Sequence, residues 1–465
     1  MKFVRETTPI EVIPTWSLKL PPYGVQIKAL MRAERRHNYA YFMEMGLGKT
    51  AVVLAEFIRY QKAGLVDGLV VICPNSLKRT WADQAEKFGS GISSAIWPLH
   101  GTVQLQDPWM LVMNYEATIT TNGGKRLLGM LRGARCMLVL DESIQIKNYK
   151  ARRTKTLIAL SEYAAYRRIL SGKPVVQGPH DLWAQLRFIY GHQGLNYFQF
   201  RAHFCKMGGY LGKQVVGAQN AEQLYQMVDQ VAFRARKDDW LDLPPKIYET
   251  REIEMTKEQK KHYMELHDDL YTMIKGQEIV TTMMISAMLK MQQVTSGFVI
   301  GPGKVEIELD GGNPKLEALV ELLEEIDGKT VIFCYFRHSV RKIVDRLKWA
   351  GYNAAGFMGG DDPAVIKEFN TDRGPDVLVV QIQSGKYGHD MLGTEKNRCA
   401  TVIFFENSYS LDDRAQAEDR PHRIGQTKPV VYIDLVASSV DKAAIKALQR
   451  KEDVSLAVID NIKRG

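Results

Sequence analysis

Apolar residues along this chain fall into two alternating patterns. Short apolar runs occur at 39–43 (YAYFM), 69–73 (LVVIC), 110–113 (MLVM) and 137–140 (MLVL), and again, with one or two polar residues each, at 330–335, 377–382, 401–406 and 430–436. Runs of this length, apolar on nearly every residue, predict strands covered on both faces. Between them lie stretches with helical periodicity, such as 50–62 (TAVVLAEFIRYQK) and 316–326 (LEALVELLEEI). Strand–helix alternation predicts parallel sheets flanked by helices. The pattern appears twice, so the fold class is α/β: two parallel-sheet lobes with a helical insert between them.

The region from about 175 to 310 reads as mainly helical and rich in methionine. The domain limits expected from this are 1–240 for a first lobe with a helical insertion, 241–310 for a linker and bracing helices, and 311–465 for a second lobe. The paired prolines of 241–249 (LDLPPKIYE) mark the crossing, and the Gly-rich 301–315 reads as an exposed loop or hairpin. The methionine stripe of 281–298 reads as core packing rather than a partner groove.

The chain has 465 residues, more than one hydrophobic core usually organises. Its formal net charge of +9 favours an anionic partner, nucleic acid foremost, although a basic soluble enzyme would show the same balance. The five cysteines, Cys73, Cys136, Cys205, Cys334 and Cys399, form no CxxC pair, which argues against a zinc ribbon and a disulfide framework and for reduced, mostly buried thiols. No apolar run approaches the roughly 18 residues of a membrane span, and the N-terminus has no apolar core of signal-peptide length. A soluble intracellular protein is the expectation.

Candidate chemistry begins at MEMGLGKT (43–50). Gly46 and Gly48 allow backbone amides to approach a phosphate, and the N-terminus of the helix that follows adds partial positive charge. Lys49 would neutralise β- and γ-phosphates, and Thr50 would ligate Mg²⁺. Met43 occupies the first glycine position of the usual phosphate-loop pattern, and alone the segment also fits, less well, an ordinary Gly-capped turn. A second piece, Asp141 and Glu142, directly follows an apolar strand. Carboxyl ends of parallel strands face ligands, so Asp141 can hold the cation and Glu142 can orient and deprotonate water. A third piece, RAQAEDRPHRIGQ (414–426), offers Arg414, Arg420 and Arg423 before a strand. Arg420 and Arg423 would share a face if helical, and guanidiniums suit the charge that builds on a transferring phosphoryl. A solvated basic face would look the same.

At this point the residues resemble a known family. MEMGLGKT, VVICPNSLKRTWADQAEKF, LVMNYEA, LVLDESIQIKN, ILSGKPVVQGPHDLWAQL, KTVIFCYFRHSV and QAEDRPHRIGQTKPVVYI occur in order. They are similar to the motifs of Swi/Snf-type ATPases, a branch of helicase superfamily two, over about residues 18–445. The resemblance implies two RecA-like lobes of the P-loop NTPase kind with ATP between them. It also implies an ATP hydrolase that tracks along double-stranded DNA, with ATP and Mg²⁺ as cofactors. Carried over by motif, Met45, Gly46, Leu47, Gly48, Lys49 and Thr50 bind the nucleotide, Gln26 reads the adenine, and Thr50 and Asp141 hold the metal. Lys49, Glu142, Gln416, Arg420 and Arg423 then act in catalysis. Expected DNA contacts are Lys78, Arg79, Lys147, Lys150, Arg152 and Lys386.

The chain departs from the pattern at Ile144, where His or Gln is usual, at Lys173 in place of threonine, and at Lys386 and His389 in the second lobe's glycine-rich motif. Two alternatives therefore stand beside the DNA translocase: a strand-separating DNA or RNA helicase, and a DNA-binding module with impaired hydrolysis. The resemblance further suggests a compact bacterial or phage-like form, monomeric and DNA-associated in the cytoplasm, whose recruiting protein the chain does not name.

Overall fold

The computed structural model describes residues 18–98, 106–191, 194–208, 214–275, 281–301, 303, 305–385 and 390–450. The chain divides into two compact units, Met1–Asp242 and Leu243–Gly465.

The first unit holds β1 (Asn38–Met43), β2 (Gly68–Cys73), β3 (Ser93–Ile96), β4 (Trp109–Asn114), β5 (Cys136–Asp141) and β6 (Tyr166–Leu170). A hairpin of β7 (Cys205–Gly208) and β8 (Gln214–Ala218) follows, then β9 (Ala232–Ala235). Seven of these form one parallel sheet in the order β3-β4-β2-β5-β6-β1-β9. Strands β2 and β5 are buried at every residue, as expected of strands with helices on both faces. The second unit holds β10 (Lys246–Glu252), a hairpin of β11 (Phe298–Ile300) and β12 (Glu306–Glu308), then β13 (Thr330–Cys334), β14 (Ala354–Phe357), β15 (Val377–Gln381), β16 (Thr401–Phe404) and β17 (Val430–Val436). Its sheet is also wholly parallel, in the order β10-β17-β16-β13-β15-β14.

Every apolar run noted in the sequence lies in an interior strand whose ends differ from those of the run by at most two residues. The region 175–310 contains helices Leu182–Tyr190, Tyr197–Phe204, Ala221–Asp229, Lys257–Lys275 and Thr281–Thr295, but also strands β7 to β12. Those strands are short, and β10 is exposed along nearly its whole length, so none presents an apolar run. The Gly-rich segment 301–315 begins directly after β11 and includes β12, the second strand of the hairpin. Met288 and Met291 of the methionine stripe are fully buried beside Val294, Tyr263 and Val440. All five cysteines are buried and unbridged. Among the described residues no helix is long and apolar enough to cross a membrane.

Strand β6 (YRRIL) breaks the apolar rule, because Arg168 lies in the middle of the sheet with no exposed surface. Its Nε and one Nη2 hydrogen reach the two carboxylate oxygens of Glu56 at 2.9 and 2.6 Å. The remaining N–H groups donate to the carbonyls of His37, Arg167 and Arg36. All five guanidinium donors are thus satisfied, which is the condition for burying this side chain. Tyr41 donates to the same Glu56 at 3.0 Å. Glu56 belongs to the helix Lys49–Lys62, so the pair locks that helix to the sheet.

Candidate functional site

In the first unit, β1 runs into the turn Glu44–Gly48 and then into the helix Lys49–Lys62. Gly46 (φ 86°) and Gly48 (φ 77°) are left-handed, a conformation that side chains disfavour. Leu47 between them is fully buried and anchors the turn. A Cβ on Gly48 would come within 2.1 Å of Gln26 Nε2, so a side chain there would also have to displace the Gln26 amide. Lys49 Nζ lies over the turn and donates to the Met43 carbonyl at 2.8 Å and the Glu44 carbonyl at 3.4 Å. Thr50 is half-buried in the first helical turn, and Met45 is half-buried in the loop.

Gln26 sits against this turn. Its Nε2 donates to the Leu47 carbonyl at 3.4 Å, and its Oε1 accepts from the Tyr23 amide at 3.0 Å. The close spacing of Tyr23 and Gln26 is that of a helix cap, since Tyr23 precedes the helix Gly24–Ala33.

Asp141 ends β5 and Glu142 follows it. In the sheet register Asp141 stands opposite Leu170, which stands opposite Tyr41 of β1. The acidic residue and the phosphate turn therefore leave the same sheet edge two strands, about 10 Å, apart. Asp141 is buried, and its two carboxylate oxygens accept from Trp81 Nε1 at 2.8 Å and the Glu142 amide at 3.0 Å. Tyr115 donates to its carbonyl at 2.8 Å. Burial raises the Asp141 carboxyl above its usual range, opposed by the Trp81 N–H and the positive charge of Lys49. Glu142 adopts a left-handed backbone (φ 51°), rare for a non-glycine residue and typical of strained functional turns. Next to it, buried Ser143 donates to Gln185 Oε1 at 2.6 Å. Ile144 is half-buried in the short turn Ser143–Ile146.

The expected DNA-contacting residues leave the same edge from neighbouring strands. Lys78 and Arg79 follow β2, while Lys147, Lys150 and Arg152 follow β5, its immediate partner. Arg79, Lys150 and Arg152 are exposed and Lys147 is half-buried. Lys78 Nζ is held by the Trp97 carbonyl at 2.8 Å. Lys386, with His389, lies outside the described residues.

In the second unit, Gln416 lies on the helix Leu411–Glu418, but Arg420 and Arg423 do not. The shared helix face expected for the two arginines is not realised, because the helix ends before Pro421, which disfavours helical geometry at the residue preceding it. Both arginines stand in the turn that follows. Arg420 is buried and its Nε donates to the Gln416 carbonyl at 3.1 Å, while Arg423 pairs with Asp390. Gln416 Nε2 donates to Asp412 at 2.8 Å; its buried Oε1 has no hydrogen-bond partner among the described residues. Arg414 is fully engaged by Asp434, Glu418 and Asn407 and is structural. Sequence reasoning singled out none of Trp81, Tyr115 or Gln185. The signal for Trp81 was an indole within an otherwise polar helix, Lys78–Lys87, and Gln185 was a polar residue amid LWAQL.

A glycine turn feeding a helix N-terminus, with a buried carboxylate two strands away on one parallel edge, defines the phosphate-loop α/β class. A model of the SNF2-related domain matches residues 26–297, more than half of the chain, and the chain belongs to that family. It is 25% identical over 456 residues to the SWI/SNF chromatin-remodeling complex subunit snf22 of Schizosaccharomyces pombe, covering 90% of this chain and 26% of that protein. It is 25% identical over 437 residues to the ISWI chromatin-remodeling complex ATPase CHR11 of Arabidopsis thaliana, covering 90% of this chain and 40% of the relative. The chain thus spans between a quarter and two-fifths of the length of these two relatives. Among solved structures, the Sulfolobus solfataricus SWI2/SNF2 ATPase core in complex with dsDNA aligns with a TM-score of 0.45 at 22% identity, over 98% of this chain and 96% of that one.

Proposed function

We propose that this protein is a DNA-dependent ATPase that uses ATP hydrolysis to move along double-stranded DNA or to remodel DNA–protein complexes. One observation carries the reading: the glycine turn with Lys49 and the buried carboxylate of Asp141 leave the same sheet edge two strands apart. Membership in the SNF2-related family supports it, as does the basic set after β2 and β5.

The residues fit a triphosphate–Mg²⁺ pair. Gly46 and Gly48 hold the turn in a left-handed backbone that leaves its amides unscreened by side chains at those two positions. Asp141 is a carboxylate whose buried charge calls for a cation. Among the described residues no three His, Cys, Asp or Glu groups converge on a metal position. Mg²⁺ characteristically takes one or two protein ligands and fills its shell with water and phosphate oxygens, which this site would leave it to do. Thr50 and Asp141 would hold the ion, and when bound it offsets charge on the phosphate oxygens. Lys49 would exchange its two carbonyl acceptors for β- and γ-phosphate oxygens. Glu142 would orient the attacking water and take its proton. Gln26 would border the base, and Met45 and Leu47 would complete the loop with their amides. Arg420 and Arg423 would stabilise the charge on the transferring phosphoryl, with Gln416 beside them; Arg423 would first release Asp390.

Lys78, Arg79, Lys147, Lys150, Arg152 and Lys386 would grip phosphates of duplex DNA, giving sequence-tolerant, salt-sensitive binding. The test is ATP turnover measured with no nucleic acid, single-stranded DNA, duplex DNA and RNA in parallel. Duplex DNA should raise turnover most, and Lys49→Ala should abolish it. A rate unchanged across a duplex titration overturns the proposal, and strand displacement in a fluorescent assay would move the assignment to a strand-separating helicase.

A further inference from the structure

The buried amide of Gln185 joins two loops that are distant in sequence. Its Oε1 accepts from Ser143, the residue after Glu142, at 2.6 Å. Its Nε2 donates to the Pro174 carbonyl at 2.7 Å and the Asp181 carbonyl at 3.0 Å. The orientation is unambiguous, since a flipped amide would set oxygen against two carbonyls. Gln185 and Ser143 have no exposed surface, so neither end can exchange its partner for water without opening the core.

The loop on the far side carries Lys173. It is fixed at its start by Ser171, whose amide donates to the Tyr41 carbonyl of β1 at 3.2 Å and whose Oγ accepts from the Lys173 amide at 3.1 Å. It is fixed at its end by Asp181, whose Oδ2 accepts from the amides of Val176 and Gln177 at 2.8 and 2.7 Å. A Cβ on Gly172 would lie 3.5 Å from the Met45 amide nitrogen, so the loop also abuts the phosphate turn. Between these ends, Gln185 is a link from the Lys173 loop to the acidic turn. The strained backbone of Glu142 is where that turn has most to gain by moving.

We infer that Gln185 is a positioning residue that ties the orientation of Glu142 to the Lys173 loop, so that loosening this link loosens the loop and lowers turnover at Glu142. The inference rests on the ATPase reading for its catalytic consequence but not for its physical content. Two measurements separate these. In amide hydrogen exchange without nucleotide, Ser143→Ala deletes one hydroxyl, and exchange at 173–178 should rise about tenfold although these residues lie some thirty positions away. Unchanged exchange at 173–178 overturns the link, whether or not the protein hydrolyses ATP.

In steady-state kinetics, Gln185→Leu should lower kcat about tenfold with KM for ATP within about twofold of wild type. Ser143→Ala combined with Gln185→Leu should lose no more than the larger single effect. Losses that multiply, or a raised KM at unchanged kcat, overturn the positioning role. Should Gln185→Leu fail to fold, the Ser143→Ala exchange result alone decides. A wild-type protein without ATP turnover would instead count against the proposed function and leave the exchange result standing.

Discussion

The indole Nε1 of Trp81 donates to Oδ2 of Asp141 at 2.8 Å in the buried interior, where the Tyr115 hydroxyl donates to the Asp141 carbonyl. A carboxylate ligand with a hydrogen-bonded second oxygen keeps one orientation, and loss of such outer partners typically costs 10–100-fold in metal affinity or activity. Trp81→Phe should preserve packing, lower kcat by about tenfold, and raise the Mg²⁺ concentration needed for half-maximal turnover. A Mg²⁺ titration superimposable on wild type would show the indole to be packing only.

Gly48→Ala meets two obstacles: a left-handed φ of 77° and the Gln26 amide at 2.1 Å. The backbone conformation alone costs an L-residue about 1–2 kcal/mol. The variant should lose binding of a fluorescent ATP analogue and unfold at lower urea. Adding Gln26→Ala removes the collision but not the backbone cost, so it should recover part of the stability. Full recovery would mean that φ is unimportant here.

The buried Glu56–Arg168 pair calls for a thermodynamic test. Removing one partner leaves the other charged in the core, a loss of about 3–5 kcal/mol. Arg168→Met and Glu56→Gln should each lower the urea midpoint sharply, while Glu56→Leu/Arg168→Met should be milder than the sum of the singles. Additive losses would deny the coupling.

Burial pushes the thiols of Cys136 and Cys399 up to about 12, and holds those of Cys73 and Cys334 and the phenols of Tyr41, Tyr115 and Tyr432 well above their ordinary values. In the unfolded chain thiols ionise near 8.5 and phenols near 10. The folded state therefore retains protons that the unfolded state releases. This contribution to stability is complete below about pH 8.5 and is lost progressively as pH rises toward about 12. Thermal midpoints should fall steadily across that alkaline range. Iodoacetamide at pH 8 should label none of the five cysteines in the native protein and all of them in urea.

What could be read from the chain follows from its physics. Strands such as β2, β5 and β13 are covered on both faces and therefore announce themselves as unbroken apolar runs. Asp141 and Glu142 were legible because they directly follow such a run, and Lys49 because a glycine turn joins such a run to its helix. Strand β6 was not, because its two arginines look solvent-facing until Glu56, far away in sequence, pairs with Arg168 and Glu162 pairs with Arg167. Exposed β10 was hidden for the opposite reason, as an edge strand needs no apolar face. Trp81 and Gln185 gain their roles only from side-chain contacts across the fold. The helical face drawn for Arg420 and Arg423 failed at Pro421, a local signal that the spacing argument overlooked.

The polypeptide leaves the first sheet from β9, that sheet's outermost member, and enters the second through β10, which is outermost there. A nick between Leu241 and Leu243 would sever no rung of either ladder. Two polypeptides divided there would each inherit a complete sheet, and new termini or an inserted tag at that point would leave both ladders intact.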